Sequence, residues 1–195
     1  MSLQPFLPVQ RRIDHARTLP LQSYIGGYLE QEVFLQCCRD CPRFGRYWAC
    51  PPLPTTPQEY LRPYSAITIY ITQIFPPREI VMGTPIPDQG KVGMAYLEQV
   101  RRSVDPYLLH LEQVHPGSRA FFAGSCNLCR ARGEDECPRI QDAPCRHPDR
   151  MRYSLESLGF NLATTAKKLM GVPMCWPSGG HLPRYYTLVS ALARP

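Results

Sequence analysis

The chain has 195 residues, nine of them cysteine and 22 proline, with a formal net charge of +6. Only Lys91, Lys167 and Lys168 among its 22 basic residues are not arginine. That length suffices for a core without staples, so the cysteines are not needed for stability alone. No stretch reaches the ~18 apolar residues of a membrane span, and MSLQPFLPVQRRIDHARTL lacks the basic and apolar regions of a secretory signal. A single α/β domain over 1–195 in the cytoplasm is expected. No aromatic-and-basic module is visible either, so nucleic acid is not an expected partner.

The first residues, with Pro5, Pro8 and Pro20, read as irregular or weakly helical. Leu29 to Gln36 (LEQEVFLQ) partly alternates apolar with polar and reads as a strand. It runs into a first cysteine group, Cys37, Cys38, Cys41 and Cys50, in the segment 37–52. There Phe44, Tyr47 and Trp48 are placed to keep water from a bound centre. Thr56, Pro57 and Glu59 form a capping box with proline at the first helical position, so a short helix begins at Pro57 and stops by Pro63.

Ser65 to Ile74 (SAITIYITQI) alternates and is rich in β-branched residues, the clearest strand in the chain. After Pro76 and Pro77, Arg78 to Gly90 reads as a loop. From Lys91 to His115 apolar residues recur at helical spacing, with a kink or break expected at Asp105-Pro106. Ala120 to Ala123 (AFFA) reads as a buried strand. Strand, helix and strand make a βαβ unit, expected to be parallel within a small mixed sheet. A helical turn is expected at Ser154 to Leu158. Asn161 then caps a helix through Met170, and Tyr185 to Leu192 is a last strand.

The segment 124–150 carries the strongest chemical signal. Cys126 and Cys129 are a C-x2-C clamp, while Cys137 and Cys145 each adjoin a proline. Proline fixes φ and stiffens a loop that presents a sulfur, and proline also sits beside a ligand cysteine in ferredoxin-type runs. Four thiolates around zinc or a [4Fe–4S] cluster leave a net negative charge. Arg130, Arg132, Arg139, Arg146, Arg150 and Arg152 are available to offset it. Disulfides would require an oxidising compartment and would leave one of nine cysteines unpaired. Zinc ribbons favour two matched C-x2-C pairs; only one pair here is compact, which favours iron–sulfur over zinc.

In the first group Cys41 and Cys50 are expected ligands, helped by Cys37 or Cys38 but not both. Cys175 is a candidate for an open position there, although a free thiol is its plainer reading. His147 lies two residues beyond Cys145 and reads as a loop histidine. No Ser/His/Asp arrangement, phosphate-binding glycine loop or dinucleotide fingerprint is present.

CRDCPRFGRYWACPP, together with AGSCNLC, APCRHP and SLESLGFNL, resembles the bacterial and archaeal family of predicted metal-binding proteins catalogued as domain of unknown function 2284. The resemblance covers Cys37 to Pro52 and Ala123 to Gly171. It implies ligand roles for Cys37, Cys41 and Cys50, and for Cys126, Cys129, Cys137 and Cys145. Phe44 and Leu155 depart mildly from its pattern, and Cys137 follows Cys129 at a longer interval than the family favours. It implies metal binding, with an iron–sulfur cluster preferred.

The leading functional expectation is an iron–sulfur protein passing single electrons to or from an unidentified partner protein, its arginines offering a docking surface for an acidic one. A zinc-stabilised interaction module is the alternative. An enzyme with an open-site cluster is a third.

Overall fold

The computed structural model describes residues 6–131, 133–134 and 136–195. Pro5 and Arg132, named above, lie outside them. Four strands, β1 (Arg11–Pro20), β2 (Ala66–Phe75), β3 (Arg119–Phe121) and β4 (Tyr186–Arg194), form one sheet in the order β1-β2-β4-β3. The α/β class therefore stands. Every neighbouring pair is antiparallel, however, rather than mixed. β2 and β3 do point the same way, but β4 is inserted between them, so the βαβ unit is split.

Seven helices accompany the sheet among the described residues: α1 (Leu21–Tyr28), α2 (Gln31–Arg39), α3 (Pro57–Leu61), α4 (Arg78–Gly83), α5 (Ile86–Val114), α6 (Leu128–Ala131) and α7 (Leu162–Thr164). The last continues as a π-helical turn, Thr165–Leu169. α3 starts as expected, with the Thr56 side chain accepting from the Glu59 amide and the Glu59 carboxylate accepting from the Thr56 amide. Asn161 caps α7 through the Thr164 amide at 2.8 Å.

β2 is covered on both faces. Ile67, Ile69 and Ile71 join Phe121, Val189, Ala191 and Ala193 against α1 and the segment from Tyr153 to Val172. Ile74 joins Ala120, Leu188 and Leu192 beneath Tyr96, Val100, Val104 and Leu108 of α5. Each fully buried aliphatic side chain contributes about 1.5–3 kcal/mol relative to exposure, so this central strand anchors both layers.

Three expectations are corrected. The N-terminal stretch is irregular only over residues 6–10 of those described: Arg11–Pro20 is an edge strand paired with β2, where Pro20 costs no ladder bond because it ends the strand. Leu29 to Gln36 is not a strand, since Leu29 makes one isolated bridge to Phe160 and α2 then begins at Gln31. Its Gln, Glu and Leu residues are good helix formers, and the apolar trio Val33-Phe34-Leu35 has no ladder to join. Arg78 to Gly90 is not a loop but α4 and the first turn of α5. Pro106 lies inside α5 without dividing it. Arg101 and Asp105 pair across the preceding turn at 2.8 Å, and Val104 and Leu108 hold both sides of the proline to the sheet.

Candidate metal centre

The second cysteine group sits on an excursion pinned at both ends. The Phe122 amide donates to the Tyr153 carbonyl at 3.0 Å, so the chain leaves and re-enters the core at neighbouring points. Gly124, at φ +68°, makes the exit turn. Arg101 of α5 donates to the Ser125 carbonyl at 2.8 Å, and buried Arg152 pairs with Glu112 of α5 at 2.7 Å. Short α6 carries Cys129, and a 3₁₀ turn, Pro138–Gln141, follows Cys137.

Cys126, Cys129, Cys137 and Cys145 line one cavity of about 250 Å³. Each is near enough to two others to influence it electrostatically: Cys126 with Cys145 and Cys129, and Cys137 with Cys129 and Cys145. Burial pushes the Cys126 thiol up to about 11, with the neighbouring sulfurs adding to the shift. Cys129 and Cys145 are raised for the same first cause. Clustered thiols held protonated by burial and by one another need a cation to ionise together, which is the donor chemistry of a metal centre.

Tyr47 and Trp48 of the first segment line this same cavity. Trp48 Nε1 donates to the Ala143 carbonyl at 3.0 Å. The aromatic cover thus lies over the second cysteine group rather than its own. Arg139 ties the two segments together, donating to the carbonyls of Tyr47 (2.8 Å), Cys50 (2.6 Å) and Pro52 (2.7 Å) and stacking on Trp48.

The first group gathers at the end of α2 and the turns after it. Cys38, Cys41 and Cys50 are mutual neighbours, whereas Cys37 is close to Cys38. Burial pushes the Cys50 thiol up to about 12, Cys41 adding to it, and Cys126 is near enough to contribute. The two groups are therefore adjacent. Cys175 is not with them: it neighbours Tyr185 and lines another cavity beside Trp176 and Tyr186. Its candidacy for the first group is withdrawn on that placement.

Arg146, one of the arginines the sequence suggested, lies beside Cys129, and two others join it among the described residues. Arg43 faces Cys50 and Arg101 faces Cys126. Arg130 pairs with Glu98, Arg152 with Glu112, and Arg139 serves the backbone.

Sequence reasoning also missed a mixed donor set. Ligand atoms of Cys129, Glu134 and His147 lie within 4.8 Å of one another. His147 Nε2 is 3.0 Å from Glu134 Oε1, and its backbone amide is 3.4 Å from Cys145 Sγ. No spacing rule links Glu134 to His147, although both fall inside the cysteine segment.

Among the described residues no helix is long and apolar enough to cross a membrane. No curated protein and no solved structure matches the chain. The family model for predicted metal-binding proteins of domain of unknown function 2284 matches residues 28–191, both cysteine groups included, and the chain belongs to that family.

Proposed function

We propose that this protein holds an iron–sulfur cluster on Cys126, Cys129, Cys137 and Cys145 and passes single electrons to or from a partner protein. The observation that carries this reading is the gathering of four partly buried thiols along one cavity. Arg43, Arg101 and Arg146 favour the more negative, reduced state of such a centre, and Tyr47 and Trp48 limit its contact with water. The adjacent first group offers a second stop for the electron.

Anaerobic purification followed by electron paramagnetic resonance before and after reduction tests the reading, with Cys129→Ser expected to remove one centre. Stoichiometric zinc with no reducible signal would overturn it.

The Cys129, Glu134 and His147 set favours a second reading, a mononuclear zinc site with an open fourth position. Glu134→Gln separates the two. Metal content falls in the mononuclear case and holds in the cluster case.

A further inference from the structure

At the end of the sheet where β1 begins and β2 stops, a cavity of about 790 Å³ opens, within the size range of small-molecule sites. Its walls come from the start of β1, the end of β2, α4 and the turn from Ser178 to Leu182. Each wall is tied to another. The Gln10 amide donates to the Phe75 carbonyl at 2.9 Å, and the Leu182 amide donates to the Val81 carbonyl of α4 at 3.3 Å. The turn closes on itself through Ser178 and His181, with Gly179 and Gly180 at φ +59° and +77°. Gln89 of α5 donates from Nε2 to the Gly180 carbonyl at 2.6 Å. The backbone around the cavity is thus fixed before any ligand arrives.

The charge in its lining has one sign. Arg11 opens β1, Arg78 opens α4 and Arg184 precedes β4, and all three line the cavity beside His181 and Ser178. Among the described residues no aspartate or glutamate lines it, and none of the three arginines makes an ion pair. By contrast Arg12, Arg46, Arg101, Arg130, Arg146 and Arg152 each hold a carboxylate. Glu79, next to Arg78 in sequence, does not line the cavity and is near Tyr96. The Arg11 guanidinium lies over the Phe75 ring, 4.3 Å from its centroid, a stacking that fixes its plane and leaves its N–H edge available. Like charges gathered in a concavity focus the field inside it and draw in counter-ions. A bound anion relieves their mutual repulsion.

We propose that this cavity binds a small polyanion, an organic molecule carrying two or more phosphate or carboxylate groups, through Arg11, Arg78 and Arg184. Guanidinium forks take both kinds of group in bidentate fashion. Three cations contributed by separate elements around a space of this size match several anionic groups better than one. The charge sits in a concavity rather than on a flat patch, which favours a compact ligand over the face of an acidic protein. The site is independent of the metal reading, since no cysteine lines it.

Isothermal titration calorimetry on the full-length, anaerobically prepared protein tests this, with a hexose bisphosphate and tricarballylate as the phosphate and carboxylate probes. Both are weak chelators, so metal content should not change. At least one is expected to bind with one-to-one stoichiometry, and the tighter of the two assigns the anionic group. Arg11→Ala, Arg78→Ala and Arg184→Ala should each weaken it about five- to tenfold, the site being open to water. Arg184→Glu should abolish it. Arg102→Ala removes an exposed arginine outside the cavity and should leave binding unchanged. Melting temperatures without probe check that each variant is folded, and should Arg11→Ala lose stability with its Phe75 contact, Arg184→Glu carries the test. No heat from either probe at millimolar concentration overturns the proposal. So does binding that Arg102→Ala weakens as much as Arg184→Ala. Binding of polyglutamate with neither small probe also overturns it, in favour of an acidic protein.

Discussion

Arg139 is the brace between the two cysteine segments, and removing it should loosen both. Its guanidinium makes three bonds of 2.6–2.8 Å to the carbonyls of Tyr47, Cys50 and Pro52. It also lies 5.1 Å from the Trp48 ring centroid. A hydrogen bond from a charged donor contributes about 1.5–3 kcal/mol when buried. The site is partly open to water, so about 1 kcal/mol per bond is the better figure, with about 0.5–1 kcal/mol from the stacking. Arg139→Ala should therefore cost about 3.5–4 kcal/mol, measured by urea unfolding of the reduced, metal-free protein. Arg139→Lys should recover less than half of this, because an ammonium cannot serve three carbonyls from one plane. Both variants should also release metal faster to a chelator, since Trp48 loses its support over the cavity. An Arg139→Ala loss below about 0.5 kcal/mol with unchanged metal retention would refute the brace.

Gly159→Ala should cost about 2–4 kcal/mol, since it combines a left-handed backbone with a clash against the Gln31 Cα; chemical denaturation checks it. Trp48 lines the candidate cavity and Trp176 does not, so metal loading should quench fluorescence in Trp176→Phe and leave it nearly unchanged in Trp48→Phe. Burial raises the Asp105 carboxyl above its ordinary value despite its pair with Arg101. The folded state thus holds this proton more tightly, and stability fully present below the ordinary value is lost as pH rises through the raised one. Asp105→Asn should flatten that loss with rising pH in unfolding experiments across pH.

The sequence reveals those parts of the fold that depend on local chemistry. The Thr56 capping box, the alternating β2 and the Asn161 cap are each written within a few residues, and each is present. α2 was misread because its apolar cluster has no period long enough to separate helix from strand. β1 was misread because its alternation is mostly charged and exposed, and an edge strand is made by its partner more than by its own residues. The insertion of β4 between β2 and β3 has no local signature at all. At the site, cysteine spacing found the four cysteines that line the candidate cavity, while Glu134 and Glu156 are ordinary acids in sequence. Only the turns that carry them bring them beside sulfur.

That inserted strand has a consequence for how the protein is made. β4 is the bridge between β2 and β3, yet its residues, 186–194, are translated after both cysteine segments. A nascent chain therefore exposes every cysteine of both groups before the sheet that positions them can close. The thiols are open to metal, to one another and to oxidants throughout that interval, and pairings between distant strands form slowly. Loading of the centres and closure of the sheet are in that sense one biosynthetic event, with β4 as its last piece. A chain interrupted ahead of β4 should scavenge metal without holding it in a defined place.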